Sequence, residues 1–159
     1  MKHIPYARQA ISKDDIKAVT KALKADYLTQ GAKSMEFEKA VSGYCGARYA
    51  VALNSGTSAL HTACFAADVT AGDEVITSPI TFVASANAVL YCQAKPVFAD
   101  VQADTLNIDP LALRKKITAR TKAVIPVHFA GHPCDMFEIQ ALARKKKLVV
   151  IEDAAHALG

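Results

Sequence analysis

The sequence contains no Cys-x-x-Cys pair; its four cysteines, Cys45, Cys64, Cys92 and Cys134, are widely spaced. That spacing argues against a disulfide framework. Three of the four sit in apolar stretches, where a free cysteine behaves as a small hydrophobe, so a reducing, cytoplasmic location is expected. No run of about 18 apolar residues is present to span a bilayer, and Met1-Lys2-His3-Ile4-Pro5 is not followed by a signal-peptide core. There is no internal repeat, low-complexity tract or linker. Charge of one sign is scarce as well: the formal net charge is only +4. Much of the basic excess lies in Arg114-Lys115-Lys116 and Arg144-Lys145-Lys146-Lys147, at the ends of expected helices, where cations complement the helix dipole. No aromatics interleave these clusters as a single-strand nucleic-acid groove would require, so neither nucleic acid nor membrane is an expected partner.

What is present is a globular composition, 52% hydrophobic and 21% charged over 159 residues. That length suits one domain with a real core. Ser12 is placed to cap a helix running to about Ala25, with Asp14 and Asp15 in its first turn and Ile16, Val19, Ala22 and Leu23 as a buried stripe. Tyr27-Leu28-Thr29-Gln30-Gly31 breaks the pattern, with the glycine allowing a sharp turn, and a second amphipathic helix spans about 33–44. Strands are then expected at 49–53, 74–77, 96–99, 123–127 and 148–152, each separated by a helix. Asp109-Pro110 opens one of those helices, and Asp135 with Glu138 suggests a capping box for another. Alternating strands and helices imply βαβ units and a parallel sheet with helices on both faces, a three-layer α/β/α fold. The run at 148–152 is apolar enough to be buried on both faces.

Chemistry concentrates where strands end. Asn54-Ser55-Gly56-Thr57-Ser58 is a strand-to-helix turn whose free N–H groups, dipole and hydroxyls suit a phosphate. It is neither a Walker loop nor a G-x-G-x-x-G fingerprint, and a plain N-cap is the other reading. Phe82, near the end of the second strand, is placed either to cover a flat ligand or to fill the core. Asp153 follows the last strand, where an α/β sheet opens its crevice, and could serve as a base, a metal ligand or the partner of a ring nitrogen. His128, His132 and Cys134 have poor spacing for zinc, because Gly131 and Pro133 prevent a shared helical face.

Taken together, Ser55-Gly56-Thr57-Ser58-Ala59-Leu60, Pro79-Ile80-Thr81-Phe82-Val83-Ala84-Ser85-Ala86-Asn87, Pro96-Val97-Phe98, Val127-His128-Phe129-Ala130-Gly131-His132-Pro133-Cys134-Asp135 and Glu152-Asp153-Ala154-Ala155-His156-Ala157-Leu158-Gly159 carry a resemblance. In that order and spacing they resemble the sugar aminotransferases of the DegT/DnrJ/EryC1/StrS family, pyridoxal 5'-phosphate (PLP) enzymes of the aspartate-aminotransferase fold type. Tyr6, Tyr27-Leu28-Thr29-Gln30-Gly31 and Phe37-Glu38 extend the match to the N-terminal part. The branch it looks most like is the UDP-4-amino-4,6-dideoxy-N-acetyl-β-L-altrosamine transaminase of pseudaminic acid biosynthesis. The resemblance implies that Gly56, Thr57 and Ser58 hold the cofactor phosphate and that Phe82 stacks on the ring. It further implies that Asp153 pairs with the ring nitrogen and that His156 lies near the phenolic oxygen. Tyr6, Asp26, Tyr27, Leu28, Thr29 and Gly56 match positions that contact the nucleotide sugar. The resemblance also implies the reaction, amination at C4 of a UDP-4-keto sugar with L-glutamate as donor, and a homodimer.

One feature of the family is missing. Its cofactor-bonding lysine lies beyond the Glu-Asp-x-x-His motif, and no lysine here has a matching context. The resemblance therefore implies a first part of the large, PLP-binding domain (about 46–159) preceded by an N-terminal arm and helices (about 1–45), without the small C-terminal domain. Two further strands, formed from later sequence in the family fold, would lie beside the strand at 49–53. Two alternatives follow: a non-catalytic N-terminal fragment, unstable and inactive by itself, and a PLP-dependent sugar dehydratase, which in this family has histidine in place of the lysine.

Overall fold

The computed structural model describes residues 8–29 and 31–158. They belong to two compact units that divide between Ala52 and Leu53.

In the first unit, α1 (Lys13–Leu23) starts at a reciprocal cap: Ser12 Oγ accepts the Asp15 N–H at 3.2 Å, and Asp15 Oδ2 accepts the Ser12 N–H at 2.7 Å. The expected burial of its stripe does not occur. Ile16, Val19 and Leu23 are each more than half exposed, because no described residue covers that face. Helical spacing identifies an apolar side but not its partner. The second helix, α2 (Ala32–Cys45), ends at Gly46, whose φ of +64° is the left-handed cap that glycine adopts freely. Gly31 serves differently from the expected turn. Its φ is an ordinary −76°, but a Cβ there would overlap the Tyr27 carbonyl oxygen. The stretch 49–53 forms no strand. A strand is defined by its neighbour's hydrogen bonds, and here the Ala52 N–H is instead satisfied by Glu38 Oε1 at 2.8 Å.

The second unit is built on a four-stranded parallel sheet, in the order β2-β1-β3-β4. Its strands are β1 (Glu74–Thr77), β2 (Lys95–Phe98), β3 (Thr121–Ile125) and β4 (Val149–Val150). The helices are α3 (Gly56–Ala66), α4 (Ala84–Tyr91), α5 (Pro110–Lys116) and α6 (Met136–Lys146). Strand periodicity separates two cores. Val75, Ala123 and Ile125 pack with Leu60, Cys64, Ala88 and Val89 of α3 and α4. Ile76 and Val124 point the other way, onto Leu113 and Ile139 of α5 and α6. The three layers are thus helices, sheet and helices, as expected. Burial on both faces holds for β1, but the expectation that the 148–152 run is a doubly buried strand needs correction. β4 pairs only with β3, so it is an edge of the described sheet, with Val149 exposed and Val150 half-buried. The capping box foreseen at Asp135 is also absent: its carboxylate caps nothing and instead accepts from Gln102 Nε2 at 2.7 Å. No helix among the described residues is long and apolar enough to cross a membrane.

Candidate active site

The connections from β1 and β3 leave toward opposite faces of the sheet, through α4 and α6 respectively. Parallel strands open a crevice at their carboxyl ends where adjacent connections diverge in this way. Residues 78–83 after β1, residues 126–135 after β3 and residues 151–156 after β4 all belong to that edge. The turn before α3 is directed to the same edge, since residues 67–73 carry the chain from the end of α3 back to the start of β1.

Asp153 is held at this edge through its backbone. Its N–H donates to the Pro126 carbonyl at 2.9 Å, and its carbonyl accepts the His128 N–H at 3.1 Å. Its side chain is buried, with 9% of the residue exposed. Oδ2 accepts the Ser85 hydroxyl at 2.7 Å, and Ser85 Oγ is in turn 2.7 Å from Thr81 Oγ1. Among the described residues, Oδ1 receives only the longer Ala155 N–H contact, 3.3 Å. Phe82, between these two hydroxyl residues, is 74% exposed, so its ring is not part of the core.

The loop after β3 braces the loop that carries Asp153. The His128 ring accepts the Cys134 N–H at Nδ1 (3.1 Å), which places its proton on Nε2, 3.0 Å from Glu152 Oε2. Asn107, fully buried, holds the same loop with three bonds. Its Nδ2 donates to the carbonyls of His132 and Pro133, each at 3.0 Å, and its Oδ1 accepts the Phe129 N–H at 2.9 Å. Gly131 has φ +85°, and a Cβ there would stand 2.8 Å from the His156 carbonyl oxygen. Burial, the largest influence, pushes the Cys134 thiol up to about 11, so it is a neutral group donating to Val127 O rather than a nucleophile. No group of three or more metal-ligating side chains occurs among the described residues.

At the start of α3, Ser55 Oγ accepts the Ser58 N–H at 3.1 Å, so the bland N-cap reading of this turn is realised. That does not exhaust it. The N–H groups of Gly56 and Thr57 have no acceptor within the helix, and a Cβ added at Gly56 would meet nothing within 4 Å. The Ser58 hydroxyl is engaged locally, 2.7 Å from Asn54 Oδ1. Free amides, a helix dipole and open space suit a phosphate, and a buried carboxylate with one lightly engaged oxygen suits a protonated ring nitrogen. The donor set fits PLP.

The structure thus brings Phe82, Asp153 and His156 to one sheet edge, with the turn at Gly56, Thr57 and Ser58 directed toward it. His156 is exposed there. Asp26, Tyr27, Leu28 and Thr29 are exposed residues of the first unit, and Tyr6 lies outside the described residues. Sequence reasoning overlooked Ser85, Thr81 and Asn107. The Thr81-x-x-x-Ser85 spacing at a helix start was a readable signal for the hydroxyl pair; Asn107 had none.

Residues 9–159 match the profile of the DegT/DnrJ/EryC1/StrS aminotransferase family. The chain is 49% identical over 155 residues to the spore coat polysaccharide biosynthesis protein SpsC of Bacillus subtilis, covering 98% of this chain and 40% of SpsC. It is 44% identical over 156 residues to the UDP-4-amino-4-deoxy-L-arabinose–oxoglutarate aminotransferase of Shewanella sediminis, again covering 98% of this chain and 40% of the relative. Among solved structures, Helicobacter pylori PseC, an aminotransferase involved in pseudaminic acid biosynthesis, superposes with a TM-score of 0.92 at 40% identity, covering 99% of this chain and 43% of PseC. Spr1654 of Streptococcus pneumoniae in its PLP form gives a TM-score of 0.94 at 34% identity, covering 99% of this chain and 44% of that one; a pyridoxamine 5'-phosphate (PMP) form is also known. The chain therefore spans about 40% of the length of the curated relatives it matches.

Proposed function

Because the chain belongs to the DegT/DnrJ/EryC1/StrS aminotransferase family, we propose that its protein is a PLP-dependent nucleotide-sugar aminotransferase. The proposed reaction adds an amino group at C4 of a UDP-4-keto-6-deoxy-N-acetylhexosamine, of the pseudaminic acid type, with L-glutamate as donor. The likeness to PseC supports this sugar, and the oxoglutarate in the name of the Shewanella relative supports the glutamate–oxoglutarate couple. A homodimer in the cytoplasm, where the four free thiols stay reduced, completes the proposal.

The observation that carries the reading is the buried Asp153 carboxylate at the carboxyl edge of the sheet, with one oxygen bonded by Ser85 and the other lightly engaged. When bound, the cofactor supplies an electron-accepting ring that carries the transferred amino group. The protein's part is to bind and to hold a proton. The N–H groups of Gly56 and Thr57, with the Thr57 hydroxyl, bind the phosphate. Phe82 covers the ring face and excludes water from it. Asp153 keeps the ring nitrogen protonated, because a carboxylate at that position favours the charged form. His156 serves the phenolic side of the ring, while Tyr6 and residues 26–29 serve the nucleotide sugar.

The test is amination of a UDP-4-keto-6-deoxy-N-acetylhexosamine by the full-length protein. Asp153→Asn should lower kcat by about two orders of magnitude, equivalent to about 3 kcal/mol of transition-state stabilisation. Near-normal turnover in that variant would remove the role given to Asp153. Dehydration of the sugar without amino transfer would overturn the reaction type.

A further inference from the structure

Ser85 lies fully buried in the first turn of α4, and its hydroxyl bonds a carboxylate 68 residues away. Its neighbour Thr81 is half-buried, with Oγ1 2.7 Å from Ser85 Oγ. A hydroxyl carries one proton, and an ionised carboxylate can only accept. With Asp153 ionised, the Ser85 proton is therefore committed to Oδ2, and Thr81 must be the donor to Ser85. Both protons then point toward the carboxylate, and each bond strengthens the next. A second Ser85 contact, to the Phe82 carbonyl at 3.3 Å, is too long to compete with the 2.7 Å bond.

We propose that Ser85 and Thr81 form a two-hydroxyl relay that positions Asp153, occupying Oδ2 so that Oδ1 is the oxygen presented to a protonated ring nitrogen. Loss of either hydroxyl would free the carboxylate to turn and would weaken its hold on a bound pyridinium proton. This rests on the reading of Asp153 given above. Ser85 and Thr81 are positioning residues, with no assigned contact to cofactor or substrate.

The experiment uses the full-length protein loaded with PMP labelled with 15N in the pyridine ring, which binds without a covalent link. The ring-nitrogen chemical shift is followed against pH in the wild type and in Asp153→Asn, Ser85→Ala, Ser85→Cys and Thr81→Val. Ser85→Ala should lower the protonation midpoint of the ring nitrogen by about one pH unit, a tenfold change in protonation equilibrium. Thr81→Val, nearly isosteric and less buried, should shift it in the same direction by less, and Ser85→Cys should fall between the wild type and Ser85→Ala. A purely structural role for Ser85 would weaken PMP binding without moving the midpoint. If Asp153→Asn moves the midpoint while Ser85→Ala and Thr81→Val leave it at the wild-type value, the relay is overturned and the Asp153 reading stands. If Asp153→Asn itself has no effect, or the wild type does not bind PMP, both fall.

Discussion

Glu74 shows how one buried charge is stabilised far from the crevice, at the amino end of β1. Only 4% of its side chain is exposed, yet it is ionised among donors: the Thr118 hydroxyl at 2.6 Å, Arg120 Nη2 at 2.9 Å and Lys95 Nζ at 3.5 Å. The Thr118 bond first and the Arg120 bond second hold its carboxyl below the ordinary value of 4.5. A depressed folded-state pKa contributes stability above the unfolded value and loses it as pH falls through the folded one. Glu74→Gln should therefore lower the urea midpoint at pH 7, with the gap from wild type narrowing as the pH drops below 4.5. A gap that stays constant across that range would show that the charge is not what stabilises this corner.

At the scale of elements, the loop at 126–135 is a scaffold for the segment that bears Asp153 and His156. Asn107 alone satisfies three of the loop's backbone groups. Asn107→Ala should cost on the order of 3 kcal/mol, since three backbone groups would lose their partner and a fully buried side chain would leave a cavity, and denaturant titration measures it directly. A loss below about 0.5 kcal/mol would mean that the loop holds itself. Gly131 acts on the same segment by close approach. Its substitution by alanine strains a left-handed backbone, costs on the order of 1 kcal/mol and pushes a methyl group against the His156 carbonyl. Amide chemical shifts of 155–157 should move in Gly131→Ala, and their constancy would show that the two loops are not in register.

The described molecule is uneven in how deeply it buries its elements. The second unit contains a sheet with two cores, whereas α1 and α2 of the first have no buried residue. Local opening free energy follows buried apolar contact. Hydrogen exchange should be slowest at Val75–Thr77 and Ala123–Ile125 and fastest in α1, by at least about two orders of magnitude, corresponding to about 3 kcal/mol. Equal protection in α1 would show that its apolar face at Ile16, Val19 and Leu23 is covered by a partner.

Local pattern was enough for much of this. The short apolar runs in Glu74-Val75-Ile76-Thr77 and Ala123-Val124-Ile125 showed strands, and Ser12 and Asp109 marked helix starts, because strand composition and capping act over a few residues. The position of Asp153 just after a strand was likewise visible, since strand ends in a parallel sheet face the crevice. Other features needed residues distant in sequence. The stretch 49–53 reads as a strand by composition but lacks a paired neighbour, and the α1 stripe reads as buried but lacks a cover. Which Asp153 oxygen is bound, and by what, depends on a hydroxyl 68 residues earlier in the chain. Sequence alone determined most of the elements and the place of the acid after a strand; tertiary structure decided which run found a strand partner and how the acid is oriented, because hydrogen-bond direction exists only once distant groups are within about 3 Å of each other.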